Sequence, residues 1–464
     1  MMKRITTYLA MFMSGSMLFA QQALTPEVLD KLERSYGKTS ADKAIRNALN
    51  SNPIKKLVGN AEQAAEPDAE FSVKVNSSGI TDQQSSGRCW LFTGMNVLRA
   101  QVMARTGMKN FQFSQVYNFF YDQLEKSNLF LQGVIDTRKK PMDDKMVEWL
   151  FRNPLSDGGQ FTGISDLFTK YGVVPKEVMA ETYSSDNTSE IASLMKRKLR
   201  EYGLQLRDLS EQGKNEAQLE QQKVEMLKTI YKMLVYAYGE PVKTFKWAPK
   251  KDGKIVGEEK EYTPQSFYKE VCGGEDLNAD YVMLMNDPSR EYNKVYEIDY
   301  DRHTYDGHNW LYLNLPIEEI KKMAIASLKD STMMYFSCDV GKFLDSKRGT
   351  LDLKNYDYES LFGTTFGMNK KQRIQSFDSG STHAMTLMAV DLDADGKPTK
   401  WMVENSWGAS AGYKGHLIMT DEWFDEYMFR VVVNKKYCPA EILKLLNQKP
   451  VRLPAWDPMF QNEQ

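Results

Sequence analysis

Hydrophobic positions fall into two regimes along this chain. Up to about residue 240 they recur at three- and four-residue steps, and from about residue 278 they gather into short runs of strand length. The clearest helical run follows Cys89. Leu91, Met95, Leu98 and Val102 give it one apolar face, and Gly107 marks its end. Helices are also predicted over 25–36 (TPEVLDKLERSY), 113–130, 143–151, 161–171, 189–207 and 216–238, the last stopped by Gly239 and Pro241. The pair at 189–207 and 216–238 reads as an inserted helical subdomain near 186–245. KKDGK at 250–254 is a hairpin turn. Strands are predicted at 71–75, 282–285, 310–313, 333–338, 383–390 and 399–404, with a helix near 440–446. The run at 383–390 is apolar on both faces, which places it centrally in a sheet.

Length and composition bound the function class. The chain has 464 residues, 42% hydrophobic and 26% charged, enough for a large core and for more than one domain. With 60 basic and 62 acidic residues the balance is near neutral, which argues against a nucleic-acid or membrane-surface protein. Lys196, Arg197, Lys198 and Arg200 form one basic cluster. Apolar Ile191, Leu194, Met195 and Leu199 make it the solvated side of an ordinary helix. The four cysteines are widely spaced, so neither a disulfide framework nor a zinc site is expected. Asp391, Asp393, Asp395 and Gly396 mimic a calcium loop, but Met402 stands where the bidentate Glu is required. No metal or organic cofactor is implied. Residues 1–20 place Lys3 and Arg4 before a largely apolar stretch ending in Ala20. This pattern predicts a signal peptide and hence an exported protein, periplasmic or secreted. Residues 21–70 read as a lead-in, either a propeptide or a permanent arm.

The candidate chemistry centres on TDQQSSGRCW at 81–90. A cysteine opening a helix meets unpaired N–H groups and the positive end of the dipole, both of which favour a thiolate. The Gln83 amide, folded back over the helix start, would join the Cys89 N–H as a two-donor oxyanion hole. A thiolate needs a base, and the chain has four histidines. His303, His308 and His416 lie in polar, turn-like contexts and are expected at the surface. His383 opens the central strand. A regular hairpin with its midpoint at Ala394 sets His383 directly opposite Asn405, close enough for the Asn oxygen to fix the imidazole tautomer, with Trp407 covering the bond.

These residues carry a resemblance. QQSSGRCW at 83–90, STHAM at 381–385 and VENSWG at 403–408 resemble the papain-like cysteine peptidases. Arg88 before the cysteine, SDGGQ at 156–160, YGVVPKEVM at 171–179, CDVGKF at 338–343, MTDEWFDEY at 419–427 and LPAWDPM at 453–459 are similar to the bleomycin hydrolase and aminopeptidase C branch. Asp82 stands where that branch commonly has Asn. The resemblance implies an α+β papain-like fold with helical and hook-like insertions over 71–464. It implies Cys89 as nucleophile, His383 as general base and acid, Asn405 as its orienter and Gln83 as oxyanion donor. Peptide substrates and a hexameric ring with active sites facing an inner channel follow from it. So does a C-terminal tail, near 450–464, lying in the cleft and restricting cleavage to peptide N-termini. FQNEQ after Met459 departs from the branch's usual ending. The expected activity is therefore a thiol aminopeptidase. The alternatives are an exported endopeptidase whose tail does not block the cleft, and a ring-forming nucleic-acid-binding protein.

Overall fold

Residues along adjacent strands sort the large core into two layers. In the strand Tyr281–Met285, Tyr281, Met283 and Met285 face a helix-rich cluster, while Val282 and Leu284 face a second cluster. Met428–Asn434 divides likewise, Phe429 and Val432 against Met428, Val431 and Val433. A period of two with apolar residues on both faces is the signature of a sheet buried between layers.

The computed structural model describes residues 23–458; the predicted signal peptide and the tail end, 459–464, lie outside the described residues. The chain divides into two compact units, a small one of residues 23–61 with Tyr356–Phe366, and a large one of the remainder. In the small unit the helix Pro26–Ser35 starts where its apolar spacing predicts, with Thr25 Oγ1 accepting from Val28 N at 3.3 Å. A second helix, Ser40–Ser51, was not legible from periodicity. It opens on a capping box between Thr39 and Asp42. Neither helix buries a residue. The chain returns to this unit by a Gly59–Tyr356 bridge and an Asp357 N to Val58 O bond of 2.8 Å.

In the large unit one sheet runs, in spatial order, through Leu344–Asp345, Thr350–Leu351, His416–Thr420, Pro398–Glu404, His383–Leu392, Met334–Cys338, Met428–Asn434, Tyr281–Met285, Leu311–Asn314, Lys294–Ile298 and Val451–Leu453. The strand Val73–Lys74 pairs with Val390 and Ala389. The His383 strand is central, as its two-sided apolar pattern predicts. KKDGK forms the predicted hairpin, with Asp252 and Gly253 both at positive φ. The helices Ser189–Glu211 and Glu216–Tyr238 both pack on the helix Gln115–Asp136. Among the described residues no helix is long and apolar enough to cross a membrane.

The helix Cys89–Thr106 ends on Gly107, at φ 66°, with its N–H bonded to Met103 O. Its predicted single apolar face is a correction. Trp90, Phe92, Thr93, Asn96 and Arg99 are buried as well. The helix is enclosed by the His383–Leu392 strand and by the helices Phe161–Tyr171 and Gln115–Asp136. A Cβ added at Gly94 would lie 2.5 Å from Ile164, so glycine is what allows that close approach.

Candidate active site

The sequence turns into the Cys89 helix through Arg88, and no side chain caps the first turn. Arg88 O accepts from both Leu91 N and Phe92 N at 3.0 Å, which closes the first turn at the cysteine end. The loop before it is held from two sides. Toward the sheet, Gln83 N donates to Ser406 O at 2.8 Å, Gly408 N donates to Thr81 O at 3.1 Å, and Asp82 forms a bridge with Trp407. Ser406 Oγ donates to Gln83 Oε1 at 2.7 Å, while Gln83 Nε2 donates to Ser86 O at 2.7 Å. The predicted fold-back of Gln83 is thus built by a hydroxyl that grips its oxygen and leaves the second N–H of Nε2 for an incoming oxygen. Asp82 Oδ1 accepts from Gln84 N at 2.9 Å, which fits the positive φ of Gln84.

On the other side, Gly87 N donates to Asp157 Oδ2 at 2.9 Å and Trp90 Nε1 to Asp157 O at 3.0 Å. Arg88 is fully buried, ion-paired to Glu181 at 2.6 Å and Asp186 at 3.6 Å, with Nε donating to Ser86 Oγ. SDGGQ at 156–160 therefore supports the back of the nucleophile loop. A side chain at Gly159 would strike His303 and Trp90.

His383 Nε2 lies 2.9 Å from Asn405 Oδ1. The same oxygen accepts from Ser406 N at 2.8 Å. Turning the amide over would set its NH2 against that backbone donor, so the oxygen must face the imidazole. Nε2 therefore carries the proton, and Nδ1 is left as the basic nitrogen. Trp407 stacks on the imidazole with ring centroids 4.8 Å apart, the covering expected of it.

The predicted register is a correction. The ladder pairs Thr386 with Glu404 and Leu387 with Val403, then shifts at a bulge before Ala389–Met402 and ends at Thr386. His383 is bonded in the sheet to Cys338 instead. Relative to the symmetric hairpin, Thr386 is displaced by two positions, and a shift of two leaves side chains on their original faces. Asn405 leaves the ladder, donating its N–H to Gly415 O, and meets His383 by its side chain.

Cys89 and His383 each open one of two packed elements, the Cys89 helix and the His383 strand, and Gln83 is bonded to Ser406, the neighbour of Asn405. Thr386 Oγ1 reaches Thr93 O, one turn beyond Cys89, at 3.5 Å. A deeper tie was missed in the sequence. Arg99 and Glu404, each 1% exposed, pair at 2.5 Å, linking the nucleophile helix to the residue beside Asn405. The available signal was an opposite pair of charges within two otherwise buried runs. Burial raises the Glu404 pKa, and Arg99 opposes that rise. A raised carboxyl contributes stability that is present at low pH and lost as pH rises through its folded value. Arg99→Leu removes the opposing charge. It should therefore destabilise the fold by about 3–5 kcal/mol at pH 8, and by less at pH 5, since a lower pH favours the neutral carboxyl. Urea unfolding at both pH values checks this, and an equal loss at both would contradict it.

The other histidines and cysteines separate cleanly. His308 is exposed and His416 half-buried, but His303 is buried, contrary to its polar sequence context. Its Nδ1 meets Asp122 Oδ1 at 2.5 Å, Lys126 pairs with Asp122 at 2.9 Å, and its ring packs edge-on to Trp90. Burial, and then Lys126, push the His303 pKa down. It is a neutral imidazole wedged behind the nucleophile loop, and a long-range partner made it so. All four cysteines are free thiols. Burial pushes the Cys272 thiol far up and that of Cys438 up to about 11, which leaves neither as a nucleophile near neutral pH.

Residues 23–460 match the model of the Peptidase C1-like family. The chain is 40% identical to bleomycin hydrolase of Homo sapiens over 404 residues, 86% of this chain and 89% of the human protein. It is 37% identical to aminopeptidase C of Lactobacillus delbrueckii subsp. lactis, over 93% of this chain and 97% of that one. A crystal structure of pepw from Lactobacillus rhamnosis superposes with a TM-score of 0.90 at 37% identity, covering 95% of this chain and 99% of that chain. These relatives overturn the expected export, because aminopeptidase C and bleomycin hydrolase are cytosolic enzymes. A short apolar stretch behind two positive charges is a pattern of composition alone, and Leu18 already departs from the small residue favoured before a cleavage site.

Proposed function

This chain belongs to the Peptidase C1-like family, and from that premise we propose that Cys89, His383, Asn405 and Gln83 form its catalytic centre. The chain is a cysteine peptidase, and its activity is that of a thiol aminopeptidase proceeding through an acyl-enzyme. The Cys89 thiolate attacks the carbonyl of the first peptide bond. The Cys89 N–H and the Gln83 amide hold the oxyanion. The His383 imidazolium protonates the departing amine through Nδ1, then takes a proton from the water that releases the acyl group. The observation that carries this reading is the double acceptance at Asn405 Oδ1, from His383 Nε2 and Ser406 N, which leaves Nδ1 as the working nitrogen.

Restriction to N-termini is assigned to the tail near 450–464. Its described part is anchored. Val451–Leu453 pairs in parallel with Lys294–Ile298, and Asp457 pairs with Arg290 at 2.5 Å. The lead-in over 21–70 is proposed as a permanent arm or propeptide, the helices near 186–245 as an insertion, and the assembly as a ring of six copies facing an inner channel. One peptide with a free N-terminus and its N-acetylated twin, incubated with the full chain and read by mass spectrometry, tests the cleavage mode. Stepwise loss of residues from the free peptide alone is expected. Internal cuts in both would make the protein an endopeptidase with an open cleft.

A further inference from the structure

The basic cluster at 196–200 has no part in the chemistry above, yet half of it faces the nucleophile loop. In the helix Ser189–Glu211, Lys196 and Arg200 are one turn apart on one side. Both line a cavity of about 490 Å³ whose other wall includes Ser85, Ser86, Gly87 and Asp157. The cavity wall reaches Gly87, two residues before Cys89 in the loop that leads into its helix. Lys198 is occupied elsewhere, paired with Glu201 at 2.9 Å and lying over Tyr202.

The cavity is cationic by the accounting of its partners. Arg200 donates from Nε to Phe151 O at 2.8 Å and from a terminal nitrogen to Arg152 O at 3.2 Å. Carbonyls position a guanidinium without cancelling its charge. Among the described residues neither Lys196 nor Arg200 has an ion-pair partner. Asp157 is the one acid in the lining, held by Gly87 N–H and the Thr188 hydroxyl, so two cations face one carboxylate. A second cavity of about 500 Å³ shares Lys196 and Arg200; its lining also holds Arg302 with Asp301, and Arg152, which is paired with Glu148.

The direction of the reaction decides which half of the substrate enters. The amine must leave on the His383 side, where Asp82 and Gln83 are joined to 406–407. Ser85 to Gly87 lie on the opposite side, bonded to Asn187, Thr188 and Asp157. The acyl residue therefore falls toward the cavity. We infer that Lys196 and Arg200 form a carboxylate subsite that selects an acidic side chain, Asp or Glu, on the residue whose carbonyl Cys89 attacks. This rests on the catalytic centre proposed above.

The test uses the full chain and fluorogenic amides of single amino acids with free amines, Glu, Asp, Leu and Lys. The Glu amide should exceed the Leu amide in kcat/KM by about tenfold, as one charge-assisted hydrogen bond allows, and the ratio should shrink as salt is added. Lys196→Ala should bring the Glu-to-Leu ratio close to one, and Lys196→Glu should shift preference toward the Lys amide. Equal Glu and Leu rates in the unaltered protein, or a ratio unmoved by both substitutions, would overturn the subsite while leaving the peptidase intact. Failure to cleave any of the four amides would instead overturn the aminopeptidase reading, and the subsite with it.

Discussion

Cys89→Ala is expected to lower turnover of a free-amine peptide by about 10,000-fold or more, the scale seen when a covalent nucleophile is deleted and only binding and the oxyanion donors remain. The loss is expected in the chemistry rather than in the fold. Cys89 is fully buried at the first turn of its helix, and trimming one buried sulfur removes far less packing than a large aliphatic side chain would. The loop is held by Gln83, Ser86, Arg88 and Trp90, none of whose hydrogen bonds uses the thiol. Thermal unfolding of the variant should therefore stay close to that of the unaltered chain. Turnover by the alanine variant at an ordinary rate would end the thiol mechanism, since the thiols of Cys272 and Cys438 are held far above neutrality by burial.

His383→Ala is expected to cost about 1,000- to 10,000-fold, at the upper end of what general acid–base catalysis supplies. In the proposed centre the imidazole does two jobs, ion-pairing with the thiolate and protonating the amine, and neither Asn405 nor Trp407 can replace it in either. Asn405 is an amide and Trp407 an indole, and neither titrates near neutrality. Asn405→Ala should cost less, about 10- to 100-fold, the worth of one hydrogen bond to a charged imidazole. It leaves the base present but free to turn beneath Trp407. Steady-state assays of both variants on one free-amine peptide compare the losses. Equal losses in both would mean that Asn405 does more than orient the base.

Much of the site was legible because its parts are local. The Cys89 helix, its Gly107 stop, the SDGGQ turn and the two strands around Ala394 all follow from short-range periodicity and turn chemistry. The hairpin argument reached the right pair by an imperfect route. The pairs Leu392–Pro398 and Thr386–Glu404 both lie two positions off the symmetric hairpin, with one-residue shifts between them, and an even offset preserves faces. The helix Ser40–Ser51 escaped because capping, rather than an apolar stripe, announces it. His303 was misplaced because its polar neighbours in sequence are not its neighbours in space. Asp122 and Lys126 arrive from a helix some 180 positions earlier.

The sequence by itself determined most of the elements and singled out a candidate nucleophile, a candidate base and its orienter, because the pattern around each is set by residues a few positions apart. Only the tertiary structure decided the burial of the Cys89 helix on all sides, the Arg99–Glu404 tie beside Asn405, the Ser406 grip on Gln83 and the turn of Lys196 and Arg200 toward the nucleophile loop. The physical reason is the same in each case. A charge or hydroxyl in a buried run is stable only when another part of the chain supplies its partner. Which part does so is fixed by how the sheet and helices pack, and short-range pattern does not contain it.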